Sequence, residues 1–215
     1  MRSMIQGLYA VTPDVDSSEL LLAKLEKAFR AGVGLLQYRR KRLSPVEQLI
    51  EAGQISAMAH QFGATFIVND NLALANAVGA NGLHWGREDV DIDRLEVAIS
   101  DAKNGRDDFI VGISCYSDFA RAVVANTKHA DYLAFGSIFA SNTKPDAEFA
   151  SLDLIRRAKT AFAIPVVAIG GITRDNVADV IDAGADAAAV ITDLFDCPID
   201  GIAKRVAHFQ SFLSK

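Results

Sequence analysis

The feature that most constrains the fold is a repeat. Eight times along 215 residues, a short run of apolar, often β-branched side chains leads through a polar turn into a stretch with apolar residues at helical spacing. The runs lie at 8–12, 33–39, 65–68, 82–85, 109–113, 131–135, 166–169 and 186–190, and the last helical stretch extends to about residue 213. Helix signals punctuate the pattern: Gly32 closes the first helical stretch, and Ser44-Pro45 opens the second with proline in its first turn. Eight such units with no shift in composition and no low-complexity linker predict a single (β/α)8 TIM barrel spanning residues 1–215 as one domain.

In a barrel of this kind chemistry belongs at the carboxyl ends of the strands, with phosphate seats commonly after strands seven and eight. Strand seven ends in Ile169-Gly170-Gly171-Ile172, and Ile191-Thr192 follows strand eight. A strand-Gly-Gly junction is either a tight turn or an anion seat; its place after strand seven favours the seat. Thr173 or Asp175 is expected to cap the helix that follows.

The other strand ends are rich in polar groups. Across Gln37-Tyr38-Arg39-Arg40-Lys41, strand alternation puts Gln37, Arg39 and Lys41 on one face. If that face looks inward, two cations and an amide converge on the barrel mouth; otherwise they feed a solvated loop, as expected for Arg40 and Arg42. Asp70 and Asp89 come from adjacent loops and suit a hard cation such as Mg²⁺, unless they cap the helices just beyond them. Glu88 and Asp91 read as solvated carboxylates. Loop six places Ser141 and Thr143 beside Lys144, a combination suited to phosphate oxygens. Ser114 ends strand five, and His84, inside strand four, reads as a packed, hydrogen-bonded core residue. No Ser-His-Asp or Cys-His arrangement can be assembled.

Two anion sites suit a reaction that joins two phosphorylated molecules or expels pyrophosphate. A metal ion with Arg39, Lys41 and Lys144 would stabilise the charge on a departing pyrophosphate, and the lack of an evident nucleophile favours direct transfer. A net charge of −5 gives no electrostatic grip on nucleic acid or an anionic membrane. No apolar run approaches spanning length, the N-terminus lacks an apolar signal core, and the cytoplasm is the expected compartment. Cys115 and Cys197 have no metal-ligand spacing and are expected to pack as small hydrophobes.

These motifs together resemble the thiamine phosphate synthase family over nearly the whole chain: Gln-x-Arg-x-Lys at 37–41, Val-Asn-Asp at 68–70, His-x-Gly-x-Glu-Asp at 84–89, Thr143-Lys144 and Ile-Gly-Gly-Ile at 169–172. The resemblance implies a transferase of thiamine biosynthesis. It would join 4-amino-2-methyl-5-hydroxymethylpyrimidine diphosphate to a thiazole monophosphate through a pyrimidine carbocation, releasing pyrophosphate. It further implies that Gln37, Arg39, Lys41, Asn69, Ser114 and Lys144 hold the diphosphate, with Arg39, Lys41, Lys144 and Ser114 as the catalytic set. Asp70 and Asp89 would bind Mg²⁺, and Ser141, Thr143, Gly171, Ile191 and Thr192 would hold the thiazole phosphate; a homodimer is compatible with the resemblance. The chain departs from the family pattern at Tyr116 (usually His), Ser141 (usually Thr), Arg87 (usually Gln) and residues 145–151. The alternatives are a thiazole tautomerase-like barrel, a sugar-phosphate epimerase, for which Asp70 is half of the needed acid-base pair, and a non-catalytic barrel that binds a phosphometabolite.

Overall fold

The computed structural model describes residues 4–140 and 149–213. Eight parallel strands close into one barrel in sequence order, β1 (Gly7–Val11), β2 (Leu35–Tyr38), β3 (Thr65–Asn69), β4 (Gly82–Trp85), β5 (Ile110–Tyr116), β6 (Tyr132–Phe135), β7 (Val166–Ile169) and β8 (Ala187–Val190), with β8 pairing back to β1. The strands are buried on both faces, which is why they read as nearly continuous apolar runs. Tyr9, Val11, Leu35, Ile67, Ile110, Tyr132 and Val167 belong to the cluster inside the barrel. Their neighbours Leu8, Ala10, Leu36, Phe66, Val68, Val111, Leu133 and Ala168 point outward and pack under the helices.

The helices are α1 (Ser18–Arg30), α2 (Pro45–Gln61), α3 (Leu72–Ala77), α4 (Leu95–Lys103), α5 (Phe119–Thr127), α6 (Leu152–Ala161), α7 (Val177–Asp182), α8 (Thr192–Phe195) and α9 (Ile202–Leu213). Their starts follow the side-chain chemistry. The Ser17 hydroxyl accepts from the Leu20 amide, and Ser44 and Glu47 form a reciprocal capping box at the start of α2.

Several strand ends shift by a residue or two from the sequence expectation, and three elements differ more than that. Strand β5 continues through Ser114 and Cys115 to Tyr116, with a register shift against β6 between Ser114 and Tyr116. The expected last helix is two helices, because Pro198 follows the end of α8 and a short 3₁₀ turn at Ile199–Gly201 leads into α9. Helix α7 begins only at Val177, and neither Thr173 nor Asp175 caps it. The Asn176 carboxamide instead accepts from the Thr173 amide and donates to the Gly171 carbonyl, and the Thr173 hydroxyl accepts from the Asp175 amide, so these side chains brace a loop. Among the described residues no helix is long and apolar enough to cross a membrane, and Cys115 and Cys197 are both free thiols, the first fully buried.

Candidate active site

A cavity of about 600 Å³ opens at the carboxyl ends of the strands. Gln37, Arg39, Asn69, Ser114, Gly171, Ile191 and Thr192 line it together, so residues spread from 37 to 192 in sequence meet in one space. Lys41, Asp70 and Asp89 are not in that lining; they form a cluster beside Arg39 and Asn69.

The β2 end is fixed by hydrogen bonds that the sequence did not disclose. The Thr12 hydroxyl accepts from the Arg39 amide (2.7 Å) and donates to the Arg39 carbonyl (3.1 Å). Asp14 receives the Arg39 guanidinium on one oxygen (3.4 Å) and the Lys41 amide on the other (2.8 Å), which orders both cationic residues from the first loop. Tyr38 and Arg40 face the other way, as alternation requires. Arg40, however, is not a solvated loop residue: it is 3% exposed and forms a two-pronged pair with Glu51 of α2 (2.8 and 3.3 Å), which also accepts from Tyr38. A charge taken out of water needs such a partner. Arg42 does lie exposed, paired with Asp16.

Neither carboxylate caps the helix that follows it. Asn71, not Asp70, caps α3, and Asp91, not Asp89, caps the 3₁₀ turn at Ile92–Arg94. Asp70 sits at φ 62°, held by the Trp85 indole N–H on its carbonyl and by its own amide on the His84 carbonyl. Burial first, and then a hydrogen bond and like charge from Asp89, push the Asp70 carboxyl above its ordinary range, while Lys41, 3.3 Å away, pulls it back. The Asp89 carboxylate is oriented by the Gly86 amide (2.7 Å). Two adjacent carboxylates, one of them reluctant to ionise, make a donor set that a divalent cation preferring oxygen fits. Among the described residues no cluster of three or more His, Cys, Asp or Glu stands ready to enclose a metal, so the remaining ligands would come from water and substrate.

Between β4 and β5, Arg121 ties the strand ends together, donating to the carbonyls of Ser114 (2.9 Å) and Gly86 (3.2 Å). The Ser114 hydroxyl meets His84 Nε2 at 2.8 Å. His84 is a packed, hydrogen-bonded residue as expected, yet it also lines the cavity. Arg87 and Tyr116, two of the departures from the family pattern, form a unit: the Arg87 amide donates to the Tyr116 hydroxyl (3.1 Å) and its guanidinium lies 4.7 Å from the ring centroid.

The opposite wall is the glycine junction. Gly170 and Gly171 adopt φ of 100° and 61°. The Ile138 and Phe139 amides donate to the Ile169 and Gly170 carbonyls (both 3.0 Å), lacing the start of loop six to the end of β7. A Cβ on Gly170 would overlap Ser137, and one on Gly171 would run into the Ala140 carbonyl. Arg205, on α9, also lines this side and donates to the Asp193 carbonyl; nothing in its helical sequence context marked it. Ser141, Thr143 and Lys144 lie outside the described residues.

The chain matches the family model described as thiamine monophosphate synthase over residues 8–194. It is 46% identical over 212 residues to the thiamine-phosphate synthase of Azoarcus sp. (strain BH72), covering 99% of this chain and all of that one. It is 44% identical over 197 residues to the thiamine-phosphate synthase of Aromatoleum aromaticum, covering 92% of each. A solved thiamine phosphate pyrophosphorylase from Pyrococcus furiosus superposes with a TM-score of 0.82 at 30% identity, over 97% of this chain and 96% of that one. Fold, motifs and relatives agree, and the chain belongs to the thiamine monophosphate synthase family.

Proposed function

We infer that this chain is a transferase of thiamine biosynthesis that condenses 4-amino-2-methyl-5-hydroxymethylpyrimidine diphosphate with 4-methyl-5-(2-phosphooxyethyl)thiazole to give thiamine phosphate and pyrophosphate. The observation that carries this reading is the convergence, on one barrel mouth, of a cation-and-carboxylate cluster and a glycine-built wall across the cavity from it. One side is built for a diphosphate that leaves, the other for a phosphate that stays.

The site roles are part of the proposal. Arg39 and Lys41, ordered by Asp14, and Lys144 bind the diphosphate and hold positive charge where negative charge grows on the leaving group. Gln37, Asn69 and Ser114 orient the pyrimidine end. Gly171, Ile191 and Thr192 hold the thiazole phosphate, with Ser141 and Thr143 from loop six. Binding both reactants in one cavity brings the thiazole nitrogen to the cationic carbon that forms. Asp70 and Asp89 would hold Mg²⁺, which when bound neutralises the leaving pyrophosphate.

We further propose that residues 1–215 fold as one domain and that the protein works in the cytoplasm. A homodimer would bury the apolar stripe Val46, Leu49 and Ile50, which lies exposed on α2; sedimentation of the wild type against Ile50→Glu tests it, and two monomers would exclude that interface. The function is tested by incubating the chain with both phosphorylated substrates and Mg²⁺ and separating the products by chromatography. Thiamine phosphate must form, and only when both substrates are present. Isomerised thiazole phosphate without condensation would establish the tautomerase reading instead.

A further inference from the structure

A chain of hydrogen bonds crosses the barrel interior just beneath the cavity. Gln37 Nε2 donates to the Tyr9 hydroxyl (3.0 Å), the Tyr9 and Tyr132 hydroxyls meet at 2.8 Å, and Tyr132 meets His84 Nδ1 at 2.8 Å. From the other ring nitrogen the chain ends on the Ser114 hydroxyl, again at 2.8 Å. Five strands contribute one side chain each. Gly112 makes the path possible, since a Cβ there would overlap the Tyr132 ring. The Tyr132 ring lies nearly parallel to His84 (interplanar angle 17°) and edge-on to Tyr9 (72°), so packing holds each hydroxyl in place.

Such a chain has two polarities. Burial pushes the Tyr9 phenol up to about 12 and the Tyr132 phenol well above its ordinary value, so each carries a single proton to pass along. The head of the chain decides between the polarities. The Gln37 amide nitrogen can only donate, so Tyr9 accepts from it and donates to Tyr132, which in turn donates to His84 Nδ1. The His84 proton then sits on Nε2 and points at the Ser114 oxygen, leaving the serine hydrogen for an acceptor in the cavity.

We propose that Tyr9 and Tyr132 are positioning residues that hold His84 as its Nε2–H tautomer, so that Ser114 faces the substrate as a hydrogen-bond donor. The last clause rests on the function proposed above; the tautomer does not. A serine that had to satisfy an unprotonated Nε2 would turn its hydrogen away from the cavity, so the buried tyrosines act on the substrate only through His84 and Ser114.

The test is nitrogen NMR of the full chain labelled at the histidine ring nitrogens, with the His84 signals identified by their loss in His84→Asn. The wild type should show protonated Nε2 and unprotonated Nδ1. Gln37→Glu, followed into alkaline pH so that the new carboxylate is ionised and can only accept, should move the proton to Nδ1. Adding Tyr9→Phe should cut the connection and restore Nε2–H. In activity, Tyr132→Phe should lower kcat about tenfold while leaving KM for the thiazole phosphate unchanged. A wild-type His84 protonated on Nδ1, or a Gln37→Glu effect that persists in the Tyr9→Phe background, overturns the proposal. If the NMR pattern holds but no thiamine phosphate forms, the tautomer assignment stands and the functional reading falls.

Discussion

Replacing Gly171 by alanine separates the seat's geometry from ordinary backbone strain. Gly171 sits at φ 61°, and an alanine there pays the left-handed penalty of about 1–2 kcal/mol. Its methyl group would also lie 2.7 Å from both carbonyl atoms of Phe139 and run into the Ala140 carbonyl, all of it backbone that has to move. Overpacking of this kind costs a further ~1–3 kcal/mol. The sum, about 2–5 kcal/mol, corresponds to a Tm lower by about 4–20 °C for a chain of this size. Gly63 supplies the control: its φ is 67°, but nothing lies within 4 Å of a Cβ built there. Gly63→Ala therefore carries the strain alone, with a Tm lower by about 2–8 °C and no change in kinetics. Because the displaced backbone at 139–140 is laced to β7, Gly171→Ala should also lose phosphate contacts of about 1.5–3 kcal/mol. KM for the thiazole phosphate would rise about 10- to 150-fold, while KM for the diphosphate stays within about twofold. Thermal unfolding and steady-state kinetics on both variants suffice. Equal Tm losses and an unchanged thiazole phosphate KM would refute the argument that this wall is shaped by close backbone contact.

Three further outcomes follow from particular contacts. Glu51→Ala leaves the Arg40 charge buried without its carboxylate and Tyr38 without its acceptor, so urea unfolding should register a loss of about 3–5 kcal/mol; replacing Arg40 and Glu51 together by methionine and leucine should recover the part due to the unpaired charge but not the part due to the Tyr38 hydroxyl. The Asp70 carboxyl is raised in the folded state, so it favours folding below the ordinary carboxylate range and this contribution is lost as pH rises through its folded value. Asp70→Asn, which keeps a residue tolerant of positive φ, should flatten that part of the pH profile and make the metal-free protein more stable at neutral pH, while removing stabilisation by added Mg²⁺; an unchanged profile in urea titrations at several pH values would contradict the assignment. Arg87→Gln removes a cation held over Tyr116 at the cavity edge and should raise KM for the diphosphate by about 2- to 5-fold without affecting the thiazole phosphate, and the opposite selectivity would place Arg87 on the wrong substrate.

The barrel was legible because each strand-helix unit carries its own signals. Buried parallel strands read as apolar runs, and Ser17, Ser44 and Pro45 announce helix starts by chemistry local to a few residues. That Gln37 and Arg39 share the face that lines the cavity was legible for the same reason, since alternation is a local rule, whereas Lys41 lies past the strand end and turns to Asp70 instead. What was hidden depends on partners far away in sequence. Arg40 looks solvated until Glu51, a helix away, is placed against it. Asp14 earns its role only when β1 and β2 lie side by side. Tyr9 and Tyr132 sit 123 residues apart inside runs that read as plain core, so their hydroxyl contact left no trace in either run. The break between α8 and α9 was readable from Pro198 but was outweighed by the apolar spacing around it.

The most direct measurement is pyrophosphate release by the purified chain supplied with both phosphorylated substrates and Mg²⁺. One pyrophosphate should appear for each thiamine phosphate formed, and release by Asp70→Ala should be lower by at least about tenfold. No release above the Asp70→Ala control, with both proteins folded, would contradict the proposed function.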